Sequence, residues 1–346
     1  MYDSGEAPVD YAKQARRHGL RYVTDLKPGI RRQKRGKHFL FFDPTGERIR
    51  DAAEIARIRS LAIPPAYRQV WICPNPNGHI QATGIDARGR KQYRYHANWR
   101  LWRDDTKFSH ILNFAEALPA LRAIVHEHMS QRGLSRDRVL ATVVALLDKT
   151  LIRVGNAEYS RANQSFGLTT LRDDHVDVTG NTIRFHFLGK SGKTWNLSLN
   201  DRRIARVVKA CADIDGQELF KYIDDNGVVR DVTSGDVNAY LREVTGQPFT
   251  AKDFRTWAAT VLAAVALQNT EYSDSPAQQK RQVRQAVEAV AKKLGNTPAV
   301  CRKAYIHPEI VNAWCDGRFG DIALTSETNL QDAETCVLQF LKDRLN

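Results

Sequence analysis

Long hydrophobic runs are missing from this 346-residue chain. Near its middle the longest is Val261–Leu267, seven residues, where a transmembrane helix needs about 20. No membrane span is expected. The opening residues MYDSGEAPVDYAKQARR hold no apolar core of the kind a secretory signal carries. Cysteine is sparse, and its pattern is unhelpful to metals or bridges. Cys73, Cys211, Cys301, Cys315 and Cys336 are an odd number with no C-x-x-C spacing. A zinc site and a disulfide framework both lose support, and reduced thiols in a cytoplasm are the expectation. A phosphate-binding P-loop is absent too. Gly192-Lys193-Thr194 echoes its end, but the first glycine of that motif would fall on Phe187. Thr194–Leu199 also alternates like a strand where the motif requires a helix. Nucleotide binding is rejected, and the pattern calls for no cofactor and no metal.

What is present is basic charge, unevenly placed. The net charge is +13, and residues 1–97 carry 19 Lys and Arg against 9 Asp and Glu, a surplus of +10. The other 249 residues contribute only +3. A solvated basic face would produce the same count, but the asymmetry fits a polyanion-binding module on a nearly neutral body. Hydrophobic residues at 42% exclude a disordered chain.

The same boundary separates two periodicities. Leu20–Thr24, His38–Phe42, Gln69–Cys73, His79–Thr83 and Gln92–Tyr95 read as strands separated by Gly, Pro and Asn turns, with one helix at about Ala52–Leu61. Beyond Trp99 the spacing is helical: Val139, Leu140, Val143, Val144, Leu146 and Leu147 mark a core-facing helix. Further helices are expected at Asp201–Ala212, Asp236–Val244, Ala251–Gln268 and Pro276–Leu294, with start signals at Asn200, Thr250-Ala-Lys-Asp253 and Ser275-Pro276. Ile183, Phe185 and Phe187, then Trp195, Leu197 and Leu199, alternate as a hairpin whose tip is Gly189-Lys190-Ser191-Gly192-Lys193. The expected class is α+β and bilobal. Residues 1–97 form a basic β-rich domain, and 98–346 a mainly helical domain with one short hairpin.

Four segments carry the chemistry. They are Leu151-Ile152-Arg153-Val154-Gly155-Asn156 with Tyr159 following, then Phe187-Leu188-Gly189-Lys190, then Lys252-Asp253-Phe254-Arg255-Thr256-Trp257, and finally Asn296 nine residues before Tyr305. Taken singly, each has an ordinary structural explanation. Arg153 could cap a helix C-terminus, Lys190 could be a solvated loop charge, and Tyr305 could be a half-buried aromatic. In this order and spacing, the set resembles the type IB DNA topoisomerases, in particular the small poxvirus-like enzymes of bacteria. Upstream, Gln81-Ala82-Thr83-Gly84 and Gly89-Arg90-Lys91-Gln92-Tyr93-Arg94-Tyr95 are similar to the DNA-contacting β domain of that family.

The resemblance implies a catalytic set of Arg153, Lys190, Arg255, Asn296 and Tyr305. Tyr305 would be the nucleophile, the two arginines would meet phosphorane charge, and Lys190 would be the general acid. Arg90, Lys91, Gln92, Tyr93 and Tyr95 would contact DNA, although Tyr93 and Tyr95 could equally pack on each other across one strand face. The family often has His where Asn296 stands; an amide donates a hydrogen bond but cannot become charged. The implied partner is supercoiled duplex DNA, gripped by a monomeric clamp in the nucleoid of a cytoplasm. Breaking and remaking a DNA strand without ATP needs a covalent intermediate that conserves the phosphodiester energy, and a tyrosine phenol suits that task. Two other readings use the same residues. A tyrosine recombinase usually carries His-x-x-Arg where this chain has Lys252-Asp253-Phe254-Arg255, and its N-terminal module is usually helical where this one reads as strands. An architectural DNA-binding protein would have an inactive set. Because most of the net charge lies in residues 1–97, binding of duplex DNA by that segment should weaken steeply with salt, with a log–log slope near −0.9 per phosphate neutralised. A flat response would move the binding surface to the helical domain.

Overall fold

The computed structural model describes residues 10–36, 38–319, 322 and 330–345. Its N-terminal part begins with α1 (Tyr11–Arg17), whose N-cap Asp10 accepts hydrogen bonds from the amides of Ala12 and Lys13, both 3.0 Å. Five strands follow, β1 (Ile30–Arg35), β2 (His38–Phe42), β3 (Arg68–Ile72), β4 (Ile80–Ile85) and β5 (Lys91–Tyr95), with α2 (Ala52–Ser60) between β2 and β3. They form one antiparallel sheet in the order β2-β1-β3-β4-β5. Ile30, Phe41, Val70, Ile72 and Ala82 from the strands and Ile58 from α2 make its core.

One strand expectation fails here and one strand is unexpected, each for an identifiable reason. Leu20–Thr24 is not a strand; it makes a single bridge, Arg21 to Gly78. Its next amide, that of Val23, donates to the imidazole Nδ1 of His79 at 3.0 Å, so a side chain takes the group a ladder would need. Conversely, β1 is a strand that its composition hides, with Arg31, Arg32, Lys34 and Arg35 among six residues. Arg32 is accommodated by donating to the carbonyls of Ile63, Pro64 and Tyr67, each at 3.0 Å, with its guanidinium 4.2 Å over the Phe39 ring.

The remaining elements are α3 (Ala97–Met129), α4 (Arg136–Thr150), α5 (Ala157–Asn163), β6 (Val176–Thr179), β7 (Thr182–Gly189), β8 (Lys193–Asn200), α6 (Arg202–Ala212), β9 (Lys221–Ile223), β10 (Val229–Asp231), α7 (Ser234–Thr245), α8 (Ala251–Gln268), α9 (Pro276–Leu294), α10 (Pro298–Ala304), α11 (Pro308–Cys315) and α12 (Leu330–Leu345). The chain divides into compact units Met1–Phe108 and Ser109–Asn346, so the division falls inside α3, past residue 97. The reason is that the first turns of α3 belong to the N-terminal core: Trp99 and Trp102 pack with Ala15 and Leu20.

In the second unit, α4 is more buried than its spacing foretells. Every residue from Val139 to Leu147 is buried, including Thr142. Such a helix is enclosed on all sides, and α6, α7 and α8 all pack against it. The β7–β8 hairpin pairs Ile183 with Leu199, Phe185 with Leu197 and Phe187 with Trp195, and β6 adds a third strand beside β7. Among the described residues, no helix is long and apolar enough to cross a membrane.

Candidate active site

Two helix C-termini create the site. The last four carbonyls of any helix lack intrahelical partners and carry the negative end of its dipole. α4 is terminated by Leu151 in the left-handed conformation (φ 57°) and α9 by Gly295 (φ 62°). Arg255, at the fifth position of α8, donates to the Leu151 carbonyl and to the Leu294 carbonyl, the latter at 2.7 Å. It also reaches the Asn296 side-chain oxygen at 3.2 Å. Arg153 donates to that same oxygen and to the Gly295 carbonyl at 3.3 Å. Two guanidinium groups therefore converge on one amide oxygen.

Among the described residues neither arginine forms an ion pair with a carboxylate. Arg255 is only 3% exposed. Burial, and then the like charge of Arg153, pushes its pKa down to about 10, so it stays charged at neutral pH. Arg153 is also held below the ordinary guanidinium value by burial. A buried cation without a counter-ion is costly, and here neutral carbonyl dipoles, one amide and the Tyr305 phenol offset it. The arrangement is short of one anion.

The loop that holds Arg153 is fixed by its backbone. The amides of Leu168 and Thr169 donate to the carbonyls of Arg153 and Val154 at 2.9 and 2.7 Å. At Gly167 any Cβ would lie 2.6 Å from the Arg153 carbonyl, and Gly155 sits at φ +105°. Both positions require glycine, one for close approach and one for conformation.

Tyr305 caps α10, its amide donating to the Cys301 carbonyl at 3.0 Å. The Thr260 hydroxyl on α8 lies 3.2 Å from the Tyr305 carbonyl and accepts from the His307 amide at 3.1 Å. The helix that carries Arg255 thus also anchors the backbone of Tyr305. The Arg255 guanidinium carbon is 5.4 Å from the Tyr305 ring centre. Burial pushes the phenol pKa up, but the charge and hydrogen bond of Arg255, then the charges of Arg153 and Lys252, outweigh it and hold the phenol below its ordinary value.

Lys190 begins the hairpin tip and is exposed, its ammonium 5.6 Å from the Tyr159 ring centre. Ser191 takes a left-handed turn (φ 66°). Three contacts orient the tip. The Phe166 amide donates to the Leu188 carbonyl at 2.8 Å, and Lys193 donates to the Asn296 backbone carbonyl at 2.8 Å. The Trp195 ring lies so close to both Gly189 and Gly295 that a Cβ at either would fall within 3.0 Å of it. Lys193 opens β8, so the Gly-Lys-Thr of the tip runs into a strand and no P-loop helix follows.

Arg153, Lys190, Arg255 and Tyr305 line one cleft of about 390 Å³. Asn296 does not line it. It is buried behind the arginines, which contribute only donors and so compel its oxygen to face them; its Nδ2 is buried without a partner. The cleft also includes Tyr159 and Lys252. Both stand in the segments singled out from the sequence, where neither was assigned a role. Lys193, which ties the tip to the Asn296 loop, was visible there only as part of a glycine-rich turn. Among the described residues, no group of three or more His, Cys, Asp or Glu side chains is placed to hold a metal ion.

The five residues expected to contact DNA lie together around β5. Arg90 and Gln92 both donate to the Asp86 carboxylate at 2.9 and 3.1 Å, and the hydrogen bond from Arg90 leads the effects holding that carboxyl at about 2. Lys91 pairs with Asp25 at 2.6 Å. Tyr93 and Tyr95 stack with ring centres 5.9 Å apart and planes 12° from parallel, Tyr93 remaining exposed.

The family described as "Eukaryotic DNA topoisomerase I, catalytic core" matches residues 96–316, and "Bacterial DNA topoisomerase IB, N-terminal domain" matches residues 38–86. The chain is similar to DNA topoisomerase 1B of Acanthamoeba polyphaga mimivirus, 32% identical over 81% of this chain and 86% of the viral one. It is also similar to DNA topoisomerase 1B of Vaccinia virus strain Copenhagen, 21% identical over 80% and 84% of the two chains, and to DNA topoisomerase I of Monkeypox virus at the same identity and coverage.

The geometry sets the titration of the phenol. In an ultraviolet difference titration, the component lost in Tyr305→Phe should titrate below pH 10, the ordinary phenol value. In Arg255→Gln it should move upward, because burial then acts with less opposition. A wild-type component above 10 would show that burial outweighs the arginines.

Proposed function

The chain belongs to the type IB DNA topoisomerase family, and we propose that it relaxes supercoiled duplex DNA by cutting and resealing one strand through Tyr305, without nucleotide or metal. The observation that carries this reading is the convergence of buried Arg255 and partly buried Arg153 beside a phenol, with no carboxylate paired to either among the described residues. A scissile phosphate is the anion that fits, since guanidinium groups match phosphate oxygens in geometry and retain their charge.

The Tyr305 phenol loses its proton to solvent as its oxygen attacks phosphorus, and the bond from phosphorus to the 5′ oxygen breaks. The products are a 3′-phosphotyrosyl ester and a free 5′-hydroxyl. Arg153 and Arg255 meet the charge that builds on the non-bridging oxygens, and Asn296, buried behind them, holds both guanidinium groups in place through its side-chain oxygen. The depressed phenol pKa reduces the cost of making the nucleophile. Lys190, exposed at the hairpin tip, delivers the proton that the departing 5′ oxygen needs. Rotation of the cut strand about its partner releases superhelical strain, and the 5′-hydroxyl then attacks the phosphotyrosine and expels the phenol. The two units act as the lobes of a monomeric clamp on duplex DNA in the cytoplasm, at the nucleoid. The basic residues of β1 and β5, with Tyr93 and Tyr95, supply backbone and groove contacts. Arg90, Lys91 and Gln92 exchange their carboxylate partners Asp86 and Asp25 for DNA.

The protein should relax supercoiled plasmid in EDTA without nucleotide, and Tyr305→Phe should abolish relaxation and the covalent adduct while leaving DNA binding nearly unchanged. Adduct formation by that variant would refute the assignment. Lys190 is tested separately. Lys190→Ala should slow cleavage by about 10²–10⁴, and sulfur in place of the 5′ bridging oxygen should restore most of the loss, because a thiolate with a pKa near about 8.5 leaves unprotonated. Arg153→Ala and Arg255→Ala defects should persist on that substrate. If sulfur restores nothing to Lys190→Ala, the lysine is a positioning charge.

A further inference from the structure

A second cleft, of about 780 Å³, lies against the back of the catalytic site, between β8, the C-terminal end of α4, α8 and the last turn of α9. Its size is that of small-molecule sites, which span about 300–1,000 Å³. One wall is an incompletely covered sheet face. In the β7–β8 hairpin, Ile183, Phe185 and Phe187 are fully buried, but their cross-strand partners Leu199, Leu197 and Trp195 are only half-buried and line this cleft. Ala258 and Leu262 of α8 complete an apolar floor.

The rim is basic. Lys149, Lys193, Lys292 and Lys293 stand on it. Its one carboxylate, Asp148, is held by Arg122 in two hydrogen bonds of 2.8 and 3.0 Å. Lys149 lies 3.5 Å from Asp201, and Lys193 donates to the Asn296 carbonyl. Lys292 and Lys293 make no ion pair among the described residues. An apolar floor with an indole in its wall, under surplus ammonium groups, matches one ligand chemistry. It is a flat aromatic body bearing an acidic group.

We propose that this cleft binds a small aromatic anion, and that its occupancy is felt at the catalytic site. The coupling is structural, because the cleft walls are the groups that hold the catalytic residues. The Leu151 carbonyl accepts from Arg255, the Gly295 carbonyl accepts from Arg153, and Lys193 tethers the Asn296 loop. The Trp195 ring wedges between Gly189, next to Lys190, and Gly295. An anion at the rim competes with the Asn296 carbonyl for the Lys193 ammonium, and a ring set beside Trp195 displaces the wall that positions the hairpin tip. Binding therefore slows cleavage without occupying the phosphate site. The kinetic half of this inference rests on the topoisomerase reading; the binding half does not.

Anilinonaphthalene sulfonate is a suitable probe, tested on the full-length protein by fluorescence and calorimetry. One molecule should bind per chain. Lys292→Glu/Lys293→Glu should weaken binding about tenfold by reversing two rim charges, and Ala258→Leu should weaken it by filling the floor. Circular dichroism checks that both variants remain folded. With saturating probe, single-turnover cleavage of a duplex should slow about five-fold or more, with affinity for the duplex unchanged. Binding that neither variant alters would overturn the site. Displacement of the probe by duplex DNA would assign the cleft to the nucleic-acid surface instead, and an unchanged cleavage rate at saturation would refute the coupling. If the plasmid shows no relaxation at all, the binding and variant measurements still decide whether the cleft is a site.

Discussion

The convergence of Arg153 and Arg255 on the single side-chain oxygen of Asn296 is the constraint around which the second unit is organised. Bringing two cations together where one of them is buried is unfavourable, and among the described residues no carboxylate pairs with either. The fold answers with the free carbonyls of two helix ends, Leu151 after α4 and Leu294 and Gly295 at the end of α9. Each carbonyl had to lose its own helical partner before it could serve. The helix terminations are therefore part of the site, and the left-handed residues Leu151 and Gly295 that produce them are functional in that sense.

From this centre the connections run outward through backbone more than through side chains. The Arg153 loop is stitched to Leu168 and Thr169, the Asn296 loop to Lys193, and the Tyr305 turn to Thr260. α8 carries Arg255 and Thr260 on one rigid element, so the guanidinium and the phenol backbone share a frame. Lys190 differs from the others. It stands exposed on a turn, yet that turn is itself anchored at Leu188, Lys193 and Trp195.

Much of the secondary structure was legible from local patterns. α8 and α9 begin and end where their capping signals and periodicity put them, because those signals act within a few residues. Strand β1 was not legible, since Arg31, Arg32, Lys34 and Arg35 suppress the apolar alternation that identifies strands. It exists because β2 and β3 pair with it on both sides and Arg32 finds three carbonyls. Leu20–Thr24 erred in the opposite sense: it has strand composition, but His79 takes an amide its ladder would have used. The boundary between units could not be read from the change of period, because α3 serves two cores with one uninterrupted helix.

The candidate site divides along the same line. The amino-acid order by itself determined which residue types are available, the concentration of positive charge before residue 97, and the spacing by which Arg153, Lys190, Arg255, Asn296 and Tyr305 were recognised. These properties are one-dimensional and survive without any fold. Only the tertiary structure decided that Asn296 sits behind the arginines with its oxygen consumed, and that the phenol lies beside the Arg255 guanidinium within the field of Arg153. It also decided that Arg90, Lys91 and Gln92 are held by Asp25 and Asp86. Hydrogen-bond direction, burial and the balance between desolvation and neighbouring charge depend on distances between groups far apart in sequence, and no local pattern encodes those distances.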